Sequence, residues 1–191
     1  MHRWARPVFT LLLSLIVASL SAQSPDRGAV SGRVTLTKRV RGTALPSTAY
    51  PVRTIGRHDA APMPEISNVV VYVKDPGYHG PLPVRRVELR QQHETFVPRI
   101  AAVTIGSTVD FPNDDPFFHN VFSLSSAATF NLGRYPRGRT RSQTFTKPGI
   151  VKVYCQIHSH MSATILVLDH PFFTVPNQDG TYRLPLLPPG E

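Results

Sequence analysis

Apolar and polar residues alternate in short runs along most of this chain, and a helical repeat is almost absent beyond the first two dozen positions. Val30 to Leu36 and Asn68 to Lys74 read as two early strands. From Arg85 onward the runs come quickly: Arg86 to Gln91, Arg99 to Ile105, Thr108 to Pro112, Asn120 to Ser123, Arg141 to Phe145, Ile150 to Cys155 and Ala163 to Leu168. Gly106-Ser107 and Pro148-Gly149 punctuate them as turns. With 19 prolines and 12 glycines in 191 residues, the pattern predicts an all-β chain folded as a sandwich.

The runs divide the chain into segments. Residues 28–75 form an N-terminal β segment carrying a long polar connection, Thr37 to Ile66, with Pro46, Pro51, Pro62 and Pro64, which predicts a surface loop or partial disorder. A boundary is expected near Tyr78-His79-Gly80-Pro81, and residues 84–170 then make the main domain. Residues 171–191 are a C-terminal β segment with an Asp179-Gly180 turn before Tyr182. They are expected to pair with 28–75, and the chain stops where another sheet element would begin.

The opening residues depart from this pattern. Met1 to Arg6 is basic, Val8 to Leu20 is apolar, and Ser19, Ser21 and Ala22 are small, which together read as an export signal over residues 1–22. Thirteen apolar residues are short of the roughly 20 that span a bilayer, so no stable membrane insertion is expected once the signal is cleaved. A periplasmic or otherwise extracytoplasmic location follows. Lys and Arg number 21 against 12 Asp and Glu, and removing Arg3 and Arg6 with the signal leaves about +7. Such a balance favours acidic partners. The arginines do not interleave with aromatics as a single-strand platform would, and an exported chain has little call for nucleic acid.

The single cysteine narrows the chemistry. In an exported chain an unpaired thiol suggests a metal ligand, an intermolecular bridge or a reactive group. Here it stands in Tyr154-Cys155-Gln156-Ile157-His158-Ser159-His160-Met161, behind a run in which Val151, Val153 and Cys155 share one face. A thiolate, an imidazole and a thioether at this spacing, with His119 supplied by Asn113-Asp114-Asp115-Pro116-Phe117-Phe118-His119-Asn120, form the donor set of a mononuclear blue-copper site. Each residue alone has a plainer reading: Met161 as core filler, His158 as a solvated loop residue, His119 as an edge histidine. Their combination points to copper. Zinc is the alternative at one Cys and two His, but a thioether suits copper better.

At these residues the chain resembles the cupredoxins, the type 1 blue-copper family, and within it the amicyanin- and plastocyanin-like members. The resemblance runs from about Val84 to Asp169. It includes Glu94-Thr95-Phe96-Val97-Pro98, Val103 to Phe111, His119-Asn120-Val121, and the compact spacing of Cys155, His158 and Met161. It implies a Greek-key β-sandwich, one type 1 copper held by His119, Cys155, His158 and Met161, and Asn120 as the residue tying the two ligand loops together. Gln156 stands where the family often has a small hydroxyl residue. His160 is an additional imidazole that the site does not require: solvent-facing, an alternative ligand, or a proton-linked modulator. The flanks, Gly28 to Val34 and Asp179 to Leu184 with Pro188-Pro189-Gly190, resemble a carboxypeptidase regulatory-like β-sandwich, which would form a small additional β module.

The function expected first is a one-electron carrier. The edge of His158 would pass electrons through an exposed apolar surface to a redox partner such as an acidic cytochrome or dehydrogenase. Copper sequestration or delivery is the alternative, though three methionines are few for a handling protein. No enzyme is expected. His58, His79, His93, His160 and His170 are scattered, and a binuclear copper centre needs two cysteines. Nucleophilic catalysis by Cys155 would leave Met161 unexplained. A metal-free interaction domain would leave the complete donor set unexplained.

Overall fold

A computed structural model describes residues 28–37 and 65–188. The apolar opening segment, nearly all of the proline-rich connection and the last three residues lie outside the described residues, and so does the expected signal. No helix among the described residues is long and apolar enough to cross a membrane.

Among the described residues fourteen strands follow in chain order: β1 Ser31–Arg33, β2 Val71–Tyr72, β3 Arg86–Glu88, β4 Arg90–Gln92, β5 Thr95–Val97, β6 Ile100–Thr104 and β7 Thr108–Pro112, then β8 His119–Ser125, β9 Ala128–Tyr135, β10 Thr140–Thr144, β11 Gly149–Tyr154, β12 Ser162–Leu168, β13 Phe173–Thr174 and β14 Thr181–Arg183. Five of them form a sheet in the order β6-β12-β11-β8-β9, and three a second sheet in the order β10-β7-β3. β12 and β6 run parallel, whereas β11 pairs antiparallel with β12 from Gly149↔Val167 to Tyr154↔Ser162.

Alternation explains the sandwich. In β11, Val151 and Val153 are buried while Ile150, Lys152 and Tyr154 are exposed, and in β12 Ala163, Ile165 and Val167 face the same core. β7 contributes Val109 and Phe111 from the other sheet, and Leu89, Phe96, Val121, Tyr135 and Phe145 complete the cluster. Each such side chain stabilises by roughly 1.5–3 kcal/mol when fully buried.

Several elements depart from the sequence expectation. The expected strand Arg86 to Gln91 breaks at fully buried Leu89, because β3 pairs parallel with β7 while β4 turns to pair antiparallel with β5. The β4–β5 hairpin escapes prediction because its turn residues, His93 and Glu94, are not turn formers, yet both have positive φ, 54° and 51°. β9 is the longest strand and is also unpredicted. Its inward phase starts at Ala128, Phe130 and Leu132, but a bulge against β8 shifts the register between Asn120 and Phe122. Gly133, at φ 71°, sits in that bulge, so Tyr135 turns inward and Arg134 outward. The expected strands Val30 to Leu36 and Asn68 to Lys74 shrink to β1 and β2, and Glu65–Asn68 is a 3-10 turn. β1 is exposed along its whole length, so no core face extends it.

The flanks meet each other. β1 pairs antiparallel with β14, from Ser31↔Arg183 to Arg33↔Thr181, a bridge joins Gly28 to Leu187, and β2 pairs with β13.

Candidate metal centre

Strand ends deliver the donors to one end of the sandwich. β11 stops at Tyr154, so Cys155 keeps the inward phase of Val151 and Val153 just past the last paired residue. The loop after it closes on itself: the Met161 N–H donates to the His158 carbonyl at 2.9 Å, and the Cys155 N–H to the Met161 carbonyl at 3.3 Å. Across the core, β8 begins at His119, which is fully buried. Asn113 holds the loop before it. Its amide donates to the carbonyls of Phe117 at 2.8 Å and Tyr135 at 3.1 Å, and its Oδ1 accepts the Asp115 N–H.

Three donor atoms converge. Cys155 Sγ lies 3.8 Å from Nδ1 of His119 and 3.8 Å from Nδ1 of His158, and the two nitrogens are 3.0 Å apart. A point in the plane of that triangle is about 2.1 Å from all three atoms, within the roughly 2.0–2.3 Å that imidazole and thiolate make to ions of this size. The donor spacing therefore fits one transition-metal ion. Met161, 1% exposed, is buried in the same core cluster as Cys155.

Electrostatics favour the metal-ready form of the thiol. Burial is the largest influence on Cys155 and pushes it up. Hydrogen bonding to His119 and to backbone groups of Asn120, His158 and Ile157 outweighs burial and brings the thiol down to about 6. Burial likewise pulls His119 down, but its contacts with Cys155 and Asp115 win and raise it.

The residues expected around the ligands are placed as follows. Asn120 Nδ2 donates to Asn131 Oδ1 at 2.7 Å, and Asn120 Oδ1 faces the Gln156 N–H at 3.4 Å, which links the two ligand loops. Gln156 meets Asn120 through its backbone N–H, and its side chain is exposed. His160 is half-exposed, its Nε2 3.3 Å from Glu94 Oε2. His158 is more enclosed than His160. Its side chain is 13% exposed, with Nε2 3.9 Å from Glu94 Oε1.

Two carboxylates beside the donor triangle, Asp115 and Glu94, escape the sequence reading. Asp115 Oδ2 lies 2.8 Å from His119 Nε2 and accepts the Glu94 N–H at 2.9 Å, and Asp115 Oδ1 accepts the His93 N–H at 2.6 Å. The doubled aspartate hides this division of labour, since its neighbour Asp114 pairs instead with Arg90 at 2.8 Å near the surface. The only sequence signal is a carboxylate four residues before a ligand histidine.

No family model and no curated protein matches the chain. Solved structures do. A copper(I) form of an amicyanin variant is 20% identical, with 43% of this chain and 81% of that one covered at a TM-score of 0.41. A purple cupredoxin from Nitrosopumilus maritimus is 25% identical over 40% of this chain and 84% of its own, at 0.37. A copper-containing nitrite reductase from Thermus scotoductus is 26% identical over 58% of this chain and 28% of its own, at 0.42. The all-β sandwich and the His–Cys–His group closing one end of it are consistent with a cupredoxin, as the residues of the two ligand loops imply.

Proposed function

We propose that this chain is an exported type 1 copper protein that carries single electrons. The observation that carries the reading is the triangle of two Nδ1 atoms and one Sγ, sized for one ion and formed by buried or nearly buried side chains. Copper held there would supply a one-electron couple, and two imidazoles, a thiolate and a weak thioether suit both of its oxidation states. In this reading His119, Cys155 and His158 would hold the ion, with Met161, buried in the same cluster as Cys155, supplying the thioether. Asn120 keeps the two loops in register. The ring of Phe117 packs 5.8 Å from that of His119 and 5.9 Å from that of His158, and Phe118 beside it is 55% exposed, which supports an apolar route from the site to solvent. Export rests on the segment Met1 to Ala22.

The partner of this reading is an acidic redox protein, such as a cytochrome or dehydrogenase. Arg134, Arg137, Arg139 and Arg141 are all exposed around the β9–β10 connection between the two sheets and make no ion pair among the described residues, whereas Arg33, Arg86 and Arg90 each have a carboxylate. This connection adjoins the site: Arg134 pairs with Asn120, and Arg137 lines a cleft of about 470 Å³ with Asp115 and Phe117. A cationic rim there would steer an acidic surface toward the metal end.

Copper delivery is the second reading, and half-exposed His160 on Glu94 favours it, as an imidazole at the rim where an ion could be exchanged. Loading the chain with one equivalent of copper(II) separates the alternatives. An intense visible thiolate-to-copper band, absent from Cys155→Ser, and fast electron self-exchange are expected. A colourless complex overturns the blue site, and slow exchange with ready transfer of copper(I) to a chelator favours delivery.

A further inference from the structure

The β4–β5 turn has no obvious reason to be where it is. Two-residue hairpin turns with positive φ at both positions ordinarily use Asn or Gly, and each other residue placed there costs about 1–2 kcal/mol. His93 and Glu94 both adopt this conformation. One side chain from outside the hairpin holds both: the two oxygens of Asp115 accept the N–H groups of His93 at 2.6 Å and Glu94 at 2.9 Å. Asp115 is 4% exposed, so these bonds are shielded from water and correspondingly strong.

The same carboxylate also reaches the metal centre, with Oδ2 2.8 Å from His119 Nε2. A carboxylate oxygen already accepting a backbone N–H accepts again here, so Nε2 keeps a proton, and once the ring is neutral Nδ1, the nitrogen facing Cys155 and His158, is the one left to bind an ion. The turn that Asp115 secures delivers a second carboxylate. Glu94, 10% exposed in its side chain, places Oε1 3.9 Å from His158 Nε2 and Oε2 3.3 Å from His160 Nε2. At the Nε2 of each of these two imidazoles, the nitrogen remote from Cys155 Sγ, stands a largely buried carboxylate.

We infer that Asp115 is the positioning residue of this centre: it fixes the tautomer and ring orientation of His119 directly and, by holding the strained His93–Glu94 turn, sets the carboxylate that faces His158 and His160. The inference deepens the copper reading and rests on it for its redox consequence. Two anionic carboxylates behind the imidazoles raise ligand basicity and favour the higher metal charge, so they hold the reduction potential down. Removing a partner of this kind typically lowers metal affinity 10- to 100-fold.

The test begins without metal. Nitrogen-15 NMR of the metal-free wild-type chain at alkaline pH is expected to show His119 as the Nε2–H tautomer, with the His93 and Glu94 amides protected from exchange. A His119 proton on Nδ1, or unprotected amides at the turn, overturns the inference, whether or not the chain binds copper. The second arm uses Asp115→Asn, with Asp114→Asn as the control on the neighbouring surface carboxylate. Copper(II) affinity in Asp115→Asn is expected to fall at least tenfold more than copper(I) affinity, a rise of about 59 mV in potential, while the control stays near wild type. A potential that moves equally in both variants, or in neither, contradicts the assignment. Should Asp115→Asn fail to fold, Glu94→Gln supplies the potential arm, with a smaller rise expected at its longer distance from His158 and no rise counting against the frame. A chain that binds no copper would remove the redox reading, and the tautomer arm would still decide the positioning role.

Discussion

Replacing Tyr135 with Phe removes one oxygen from the core beside the metal end, and the consequence can be worked out atom by atom. The Tyr135 hydroxyl donates to the Phe111 carbonyl at 2.9 Å and accepts from Gln91 Nε2, joining β9, β7 and β4. Tyr135 and Gln91 are 1% and 0% exposed, so water cannot take over either contact. The Phe111 carbonyl keeps a second lone pair, and most of the cost therefore falls on Gln91. Its Oε1 already has no partner among the described residues, and the variant would orphan its donor too. A buried donor left unsatisfied costs roughly 1–3 kcal/mol, so Tyr135→Phe is expected to destabilise the metal-free chain by about 2 kcal/mol. Equilibrium urea denaturation measures this as a lower midpoint with an unchanged slope. The double variant Gln91→Leu with Tyr135→Phe removes both partners and should lose less than the two single variants added together. A single-variant loss under about 0.5 kcal/mol, or strict additivity in the double, would refute the argument that this buried pair is held by mutual satisfaction.

Other expectations follow from the same geometry. In the metal-free chain, ultraviolet thiolate absorbance should titrate near pH 6 rather than at the ordinary 9.0 of a free thiol, and a step near 9 would count against the buried contacts of Cys155. Because the folded thiol holds its proton more weakly than the unfolded one, stability gains from Cys155 as pH rises from about 6 to 9 and loses that gain as pH falls toward 6. Denaturation midpoints of Cys155→Ser across this range should lack that part of the slope. Gly133→Ala places a side chain at φ 71° in the β8–β9 bulge and should cost about 1–2 kcal/mol in urea denaturation, although nothing lies within 4 Å of the new carbon. With copper bound, electron exchange with anionic hexacyanoferrate should slow as salt is added, more steeply in wild type than in Arg137→Gln, and Lys147→Gln should match wild type.

Much of this was legible because it rests on two-residue periodicity. Val151, Val153 and Cys155 share a face for the same reason that Ile165 and Val167 do, and that alternation carries both the sandwich and the direction of the thiol. The ligand loop is equally readable, since Cys155, His158 and Met161 are neighbours in sequence and their loop closes by local hydrogen bonds. What escaped depends on contacts between distant segments. The β4–β5 turn has no turn-forming residues because Asp115, more than twenty positions away, supplies the acceptors that a glycine-containing turn would not need. β9 was hidden by the bulge at Gly133, which exchanges its inward and outward positions near its end. Asp114 and Asp115 are identical in sequence and opposite in role, one paired with Arg90 at the surface and the other bonded to His119 in the interior. Only the packing of the loop decides which is which.

X-ray absorption of the copper-loaded chain in both oxidation states tests the central claim most directly. One sulfur and two imidazole nitrogens are expected in the same short shell before and after reduction, because donors already spaced around a common centre about 2.1 Å away need not move. A shell without sulfur, or one that exchanges ligands on reduction, would contradict a preset centre built for carrying electrons.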